Sequence, residues 1–175
     1  MSKSLAGRSI ASATLVAVMF AGCQNAAWLN RPTPVVEVAD VPLSQIGLTP
    51  DGWFQSYEQA VVAAQASGKP ILVDFTGSDW CGWCIRLDQE VFAQPEFREW
   101  AQNRVILLKV DLPRQTPQPP ALKQQNENLR DKYQIDSYPT ILFVDPQGNK
   151  IGRTGYEQGG PQVWTQKADQ LLEAF

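Results

Sequence analysis

The chain has 175 residues, of which 15 are basic, 18 acidic and none is histidine, giving a net charge of −3. It contains no basic run, which argues against nucleic acid as a partner. Three cysteines and two methionines (Met1 and Met19) are its soft ligands, so a zinc or copper site would have to complete its shell with carboxylates or backbone, and neither a metal nor another cofactor is expected.

Residues 1–22 read as a targeting segment: Lys3 and Arg8 form a basic start, Ile10 to Ala21 an apolar core too short to span a bilayer, and small residues lead to Cys23. Phe20-Ala-Gly-Cys23 resembles a bacterial lipobox, with Phe20 where leucine is usual. The resemblance implies that Cys23 is lipidated and becomes the N-terminus of a protein anchored to a bacterial membrane, its domain outside the cytoplasm. An ordinary secretory signal cut near Ala21, leaving Cys23 as a stray thiol, is the competing reading. In either case the mature chain works where disulfides persist. Lys3 and Arg8 are the only charges removed, so 13 basic and 18 acidic residues remain, net −5. Residues 23–50, with Pro32, Pro34, Pro42 and Pro50, read as the lipidated N-terminus and a flexible tether, in which Val35 to Val41 is a candidate edge strand.

Residues 51–175 are one domain's worth of chain. Gln55 to Ser67 places Tyr57, Ala60, Val61 and Ala64 on one helical face and stops at Gly68. Ile71 to Phe75 is short, branched and bounded by Gly68-Lys69-Pro70, as a buried strand would be. A glycine-containing turn then leads to Cys81-Gly-Trp-Cys84, after which apolar residues at 84, 87, 91 and 92 have close to helical spacing. A strand, a tight turn and a Cys-x-x-Cys opening a helix make a thiol reactive, because the unpaired N–H groups and positive dipole end of the helix stabilise a thiolate. Cys81, expected on the exposed rim, is the attacking thiolate, and Cys84, one turn further in, resolves the mixed disulfide. Half of a zinc site, a structural disulfide and a pair of inert core thiols are the alternatives.

Downstream, Glu96 to Asn103 reads as a short helix and Val105 to Asp111 as a second buried strand. Leu112 to Pro120 holds four prolines and is expected to be a surface loop, either a wall of a partner groove or a solvated insertion. Leu122, Leu129 and Tyr133 share a helical face. Thr140 to Val144 and Ile151 to Arg153 form a hairpin through Asp145-Pro-Gln-Gly-Asn149, and Pro161 to Phe175 is a last helix with Trp164, Ala168, Leu171, Leu172 and Phe175 as its core face. This alternation predicts a central sheet covered by helices.

Trp80-Cys-Gly-Trp-Cys84 resembles the Trp-Cys-Gly-Pro-Cys site of thioredoxins, and Ser137 to Asp145 resembles their cis-proline segment and the strand after it. Gly77 to Cys84, Val110 to Arg114, Gln125-Asn126 and Gly155-Tyr156 together are similar to a bacterial group of cell-envelope thioredoxin-like proteins. The resemblance covers roughly residues 52 to 175. Two departures stand out: Trp83 replaces proline, and one extra residue puts Asp74 seven positions before Cys81 instead of six.

The resemblance implies an α/β thioredoxin-like fold with a central mixed β-sheet flanked by helices. It also implies a thiol–disulfide oxidoreductase that reduces or isomerises disulfides of envelope proteins, with protein or peptide thiols and disulfides as substrates and an unidentified electron donor or acceptor. A cis Pro139 would lie beside the cysteines and leave the Tyr138 backbone free to pair with an extended substrate. Asp74 would be a buried proton relay for Cys84, its pKa raised by burial, with Asp79 as the alternative nearer carboxylate. Trp80 and Trp83 flank the reactive sulfur as a hydrophobic rim. Asp79 also disfavours the Cys81 anion, so Cys81 is expected to titrate nearer about 7 than about 4. The other function class is a thioredoxin-fold binding or assembly module whose disulfide is only structural.

Overall fold

The computed structural model describes residues 48–173 and Phe175. The targeting segment, Cys23, the candidate strand Val35 to Val41 and most of the tether lie outside the described residues. Helix α1 (Tyr57–Ser67) is capped by Ser56, whose Oγ accepts the Gln59 N–H at 3.3 Å, and it ends at Gly68 with φ +68°. That left-handed stop is one glycine adopts without steric cost.

Strand β1 (Ile71–Thr76) is buried along its whole length and is central to the sheet. On one side it pairs in parallel with β2 (Ile106–Asp111), on the other antiparallel with β3 (Thr140–Val144), which pairs antiparallel with β4 (Lys150–Thr154). The sheet is therefore mixed, in the order β2-β1-β3-β4, and the continuous apolar run of β1 follows from burial on both faces. Period-two alternation sorts its side chains between two cores. Leu72 joins Ile141 and Phe143 under Leu87, Phe97 and Trp164; Ile71, Val73 and Phe75 face Ala60, Ala64 and Leu129 on the opposite side. Asp74 shares the parity of Leu72 and so faces the side that carries the cysteines.

Helix α2 (Gly82–Leu87) runs into a π-helical segment, Asp88–Phe92, in which the Ala93 N–H reaches back five residues to the Asp88 C=O at 2.7 Å. Both Val91 and Phe92 in this widened turn are buried. Helices α3 (Pro95–Arg104), α4 (Pro120–Lys132) and α5 (Gly160–Leu172) complete the fold.

One sequence expectation changes. Phe175 does not extend the core face of α5: the helix ends at Leu172, and Phe175 is 54% exposed. Leu48 bridges to Phe54, and Phe54 in turn pairs with the outer edge of β2 through Leu108. Trp53, unassigned from sequence, is a core residue packed on Phe92 and Phe97. No helix among the described residues is long and apolar enough to cross a membrane.

Candidate active site

At the C-terminal end of β1 the chain turns through Gly77, a position where any Cβ would collide with the Trp80 indole. Cys81 then caps α2: its N–H donates to the Gly77 C=O at 2.8 Å, and its Sγ accepts the Cys84 N–H at 3.2 Å. The two sulfurs are joined as a disulfide with Cα atoms 5.2 Å apart. Contrary to the expected exposed rim, Cys81 is 6% exposed and Cys84 4%. The reason is local, because the capping bond and the disulfide both turn the Cys81 sulfur toward the start of the helix.

Exposure belongs to the neighbours. Trp83 is 56% exposed and Ile85 39%, while Trp80, Tyr138 and Pro139 are half-buried. The Tyr138–Pro139 peptide is cis, and the Tyr138 ring meets Trp80 edge-on at 5.4 Å between centroids. Among the described residues, neither the Tyr138 N–H nor its C=O has a partner in a turn or loop.

The extra residue before the cysteines is absorbed in the turn rather than in the strand. Asp111, at the end of β2, accepts the Ser78 N–H at 3.0 Å and the Ser78 hydroxyl at 2.6 Å, and the Trp80 indole N–H donates to the Leu112 C=O at 2.8 Å. Asp79 accepts the backbone N–H groups of Arg114, Gln115 and Thr116 at 2.9, 2.8 and 2.8 Å. These N–H groups, that of Arg114 foremost, pull the Asp79 carboxyl down to about 2. Its charge is thus held by the proline-rich loop: so acidic a carboxyl is ill suited to carry a proton for the cysteines, and it stays ionised two residues before Cys81.

Asp74 has the opposite character. It pairs in register with Lys109 on β2 and Ile141 on β3, is 4% exposed, and its Oδ1 has no hydrogen-bond partner among the described residues. Burial pushes its pKa up to about 7, partly offset by the Lys109 ammonium and reinforced by Asp88 and Asp111. A carboxyl in that range holds or releases a proton near neutrality. A cavity of about 190 Å³ is lined by Asp74, Thr76, Cys84, Asp88 and Lys109, so Asp74 and the inner cysteine open on the same space. Lys109 and Asp88 form an ion pair across it at 3.4 Å. A larger cleft of about 400 Å³, lined by Leu48, Phe54, Lys69 and Arg98 among others, holds no cysteine.

Two clusters near the cysteines were not assigned from sequence. The Arg153 guanidinium on β4 donates to Asp136 Oδ1, Ser137 Oγ and Thr140 Oγ1 at 3.2, 3.0 and 3.0 Å, bracketing the Tyr138–Pro139 peptide. Glu90 accepts from both Arg86 (2.7 Å) and the Tyr156 hydroxyl (2.6 Å), while Trp83 and Tyr156 pack with ring centroids 5.1 Å apart. The one advance signal was Gly155-Tyr156 within the resemblance, and it carried no role.

The Thioredoxin-like domain matches residues 57–169. The chain belongs to the thioredoxin-like family. This thioredoxin-like chain is 32% identical over 120 residues to the Disulfide bond reductase DsbH of Chlamydia pneumoniae, covering 69% of itself and 72% of that relative. It is 27% identical over 142 residues to the Thiol:disulfide interchange protein DsbD of Haemophilus influenzae, but there it spans only 23% of the relative's length. Among solved structures, a DsbH oxidoreductase superimposes with a TM-score of 0.68 at 32% identity, over 73% of this chain and 88% of that one. The expected thioredoxin-like fold, with its mixed sheet between helices, is the observed one.

Proposed function

We propose that this thioredoxin-like chain, a thiol–disulfide oxidoreductase, reduces or isomerises disulfides of cell-envelope proteins while tethered to a membrane by lipid at Cys23. The observation that carries the reading is the shared cavity beneath the disulfide, in which a carboxyl with its pKa near neutrality opens on the same space as Cys84. A purely structural disulfide has no use for such a group. Relatives bearing the names disulfide bond reductase and thiol:disulfide interchange protein support the same chemistry.

In the reduced protein the Cys81 thiolate, held by the Cys84 N–H and the start of α2, attacks one sulfur of a substrate disulfide. The Cys81–substrate bond forms as the substrate S–S bond breaks, and the leaving sulfur departs as a thiolate. Asp74 takes the proton of Cys84, whose thiolate attacks Cys81 and releases the second substrate sulfur, so two electrons pass from the protein to the substrate. An external thiol donor returns the Cys81–Cys84 disulfide to the dithiol. The Tyr138 backbone before cis-Pro139 pairs with the extended substrate, and Trp80 and Trp83 supply its apolar rim.

Activity and tether have separate tests. The reduced protein is expected to open a model protein disulfide faster than an equal concentration of free dithiol does; equal rates would remove the enzymatic reading. Expressed from the full sequence in a bacterium, the chain is expected to partition with membranes and to begin, by intact mass, at a lipid-modified Cys23. A soluble product with an unmodified N-terminus elsewhere would overturn the anchor.

A further inference from the structure

We infer that Arg114 is a docking point for a carboxylate on the disulfide-bearing partner, so that this site favours cysteines flanked by Asp or Glu. The inference rests on the exchange reading above and names the substrate class for the same site.

Arg114 lies in the proline-rich loop between β2 and α4, and that loop is fastened to the turn that delivers Cys81. Ser78 is held by Asp111, Asp79 holds the N–H groups of residues 114 to 116, and Trp80 donates to the Leu112 C=O. Three successive residues immediately before Cys81 thus fix the end of β2 and the loop after it against the site. The Arg114 guanidinium rests on the Trp80 ring, 3.8 Å from its centroid, and Trp80 in turn meets Tyr138, the residue before cis-Pro139. Cation, indole and phenol form one strip running from the loop to the backbone expected to hold the substrate.

This cation is also unmatched. Of the six described arginines, Arg86, Arg104, Arg130 and Arg153 each pair with a carboxylate. Arg114 is exposed, and among the described residues its guanidinium has no hydrogen bond or ion pair. The acid nearest in the loop's network, Asp79, is already saturated by backbone N–H groups. The other tryptophan beside the cysteines shows the contrast: Arg86 lies 5.5 Å from the Trp83 ring centroid but is neutralised by Glu90. Of these two tryptophan-bound cations, the one on Trp83 is neutralised and the one on Trp80 is not. A guanidinium resting on an indole is partly ordered and desolvated beforehand, and it keeps donors that match a carboxylate, so it binds one at reduced entropic cost.

Three short peptides test this, identical except that the single cysteine is flanked by Glu, Gln or Lys, each activated as a neutral 2-thiopyridyl mixed disulfide. The reduced protein's Cys81 thiolate attacks the peptide sulfur and expels pyridine-2-thione, which is followed by absorbance. The wild type should react with the Glu peptide roughly three- to tenfold faster than with the Gln peptide, with the Lys peptide slower still. High salt should shrink the difference. Arg114→Gln should abolish the Glu preference while leaving the Gln-peptide rate within about twofold, Arg114→Glu should reverse it, and Arg114→Lys should retain part of it. A Glu-to-Gln ratio unchanged by Arg114→Gln overturns the inference, and so does an equal loss on all three peptides, which would mean that the loop had merely moved. A wild type inert even toward the Gln peptide sinks the exchange reading instead. In that case the ratio of Cys81 alkylation by iodoacetate to that by iodoacetamide decides Arg114 alone: a fall in Arg114→Gln supports the anion site, and an unchanged ratio overturns it.

Discussion

In the oxidised Asp74→Asn variant, stability at pH 8 is expected to exceed that of the wild type by up to about 4 kcal/mol, and the difference should vanish near pH 4. The magnitude follows from a carboxyl raised from 3.8 to about 7, at about 1.4 kcal/mol for each pKa unit, taken as an upper bound for a site that water can reach through a cavity. The sign follows from proton counting. Between 3.8 and 7 the folded protein binds more protons at this position than the unfolded chain, so the wild type loses stability as pH rises through that window; above 7 it bears the whole cost of a buried anion, and below 3.8 it bears none. Asparagine removes the ionisation and with it the slope. Urea unfolding at pH 4, 6 and 8 reads the effect, and parallel wild-type and variant curves would show that Asp74 is not buried as described. The same substitution should slow the step that requires a Cys84 thiolate while leaving Cys81 alkylation nearly unchanged. A carboxyl with only a structural role would not produce that split.

Replacing Cys84 by Ala is expected to lower steady-state turnover by on the order of a thousandfold or more, while the first attack by Cys81 persists. The reason is proximity: Cys84 resolves the mixed disulfide as an intramolecular thiol with a high effective concentration, whereas external thiols at millimolar levels collide and orient without help. Mixed disulfides should therefore accumulate, and isolating them from the envelope would identify the bound proteins. Loss of the initial attack as well would mean that Cys81 is not the nucleophile. Wild-type turnover in this variant would mean that Cys84 resolves nothing.

Much of the site was legible because its signals are local. The run Ile71 to Phe75, the turn and the cysteine spacing lie within fourteen residues, and each constrains the next through chain geometry alone. Pro139 was legible for a different reason, since it opens a strand at the place the resemblance requires, and its peptide is cis. The side of the sheet that Asp74 faces was implicit in period-two alternation with Leu72, but whether the extra residue displaced it was not. That was decided by Asp111 and Asp79, which draw Ser78 and residues 114 to 116 together across more than thirty positions of sequence and confine the insertion to the turn. No periodicity records such a convergence of backbone N–H groups on a carboxylate. For the same reason the Arg153 bracket around residues 136 to 140 and the Arg86–Glu90–Tyr156 cluster went unread: each joins separate elements through polar atoms that sequence pattern does not rank. Phe175 differs in the other direction, having the right spacing but lying past the end of α5, where it is exposed.

The central claim is that Cys81 and Cys84 form a working redox couple poised to reduce or isomerise rather than to oxidise. The poise depends on the Cys84 N–H at the Cys81 sulfur, on the proton held at Asp74 and on the ionised Asp79 two residues before Cys81. The measurement that bears on this most directly is the redox equilibrium of the full-length protein against glutathione, reading the dithiol fraction by thiol labelling. The account predicts a midpoint between about −180 and −280 mV, the range of disulfide isomerases and thioredoxins. A midpoint well below about −300 mV would mark a structural disulfide, and one near about −120 mV an oxidant; either result would contradict it.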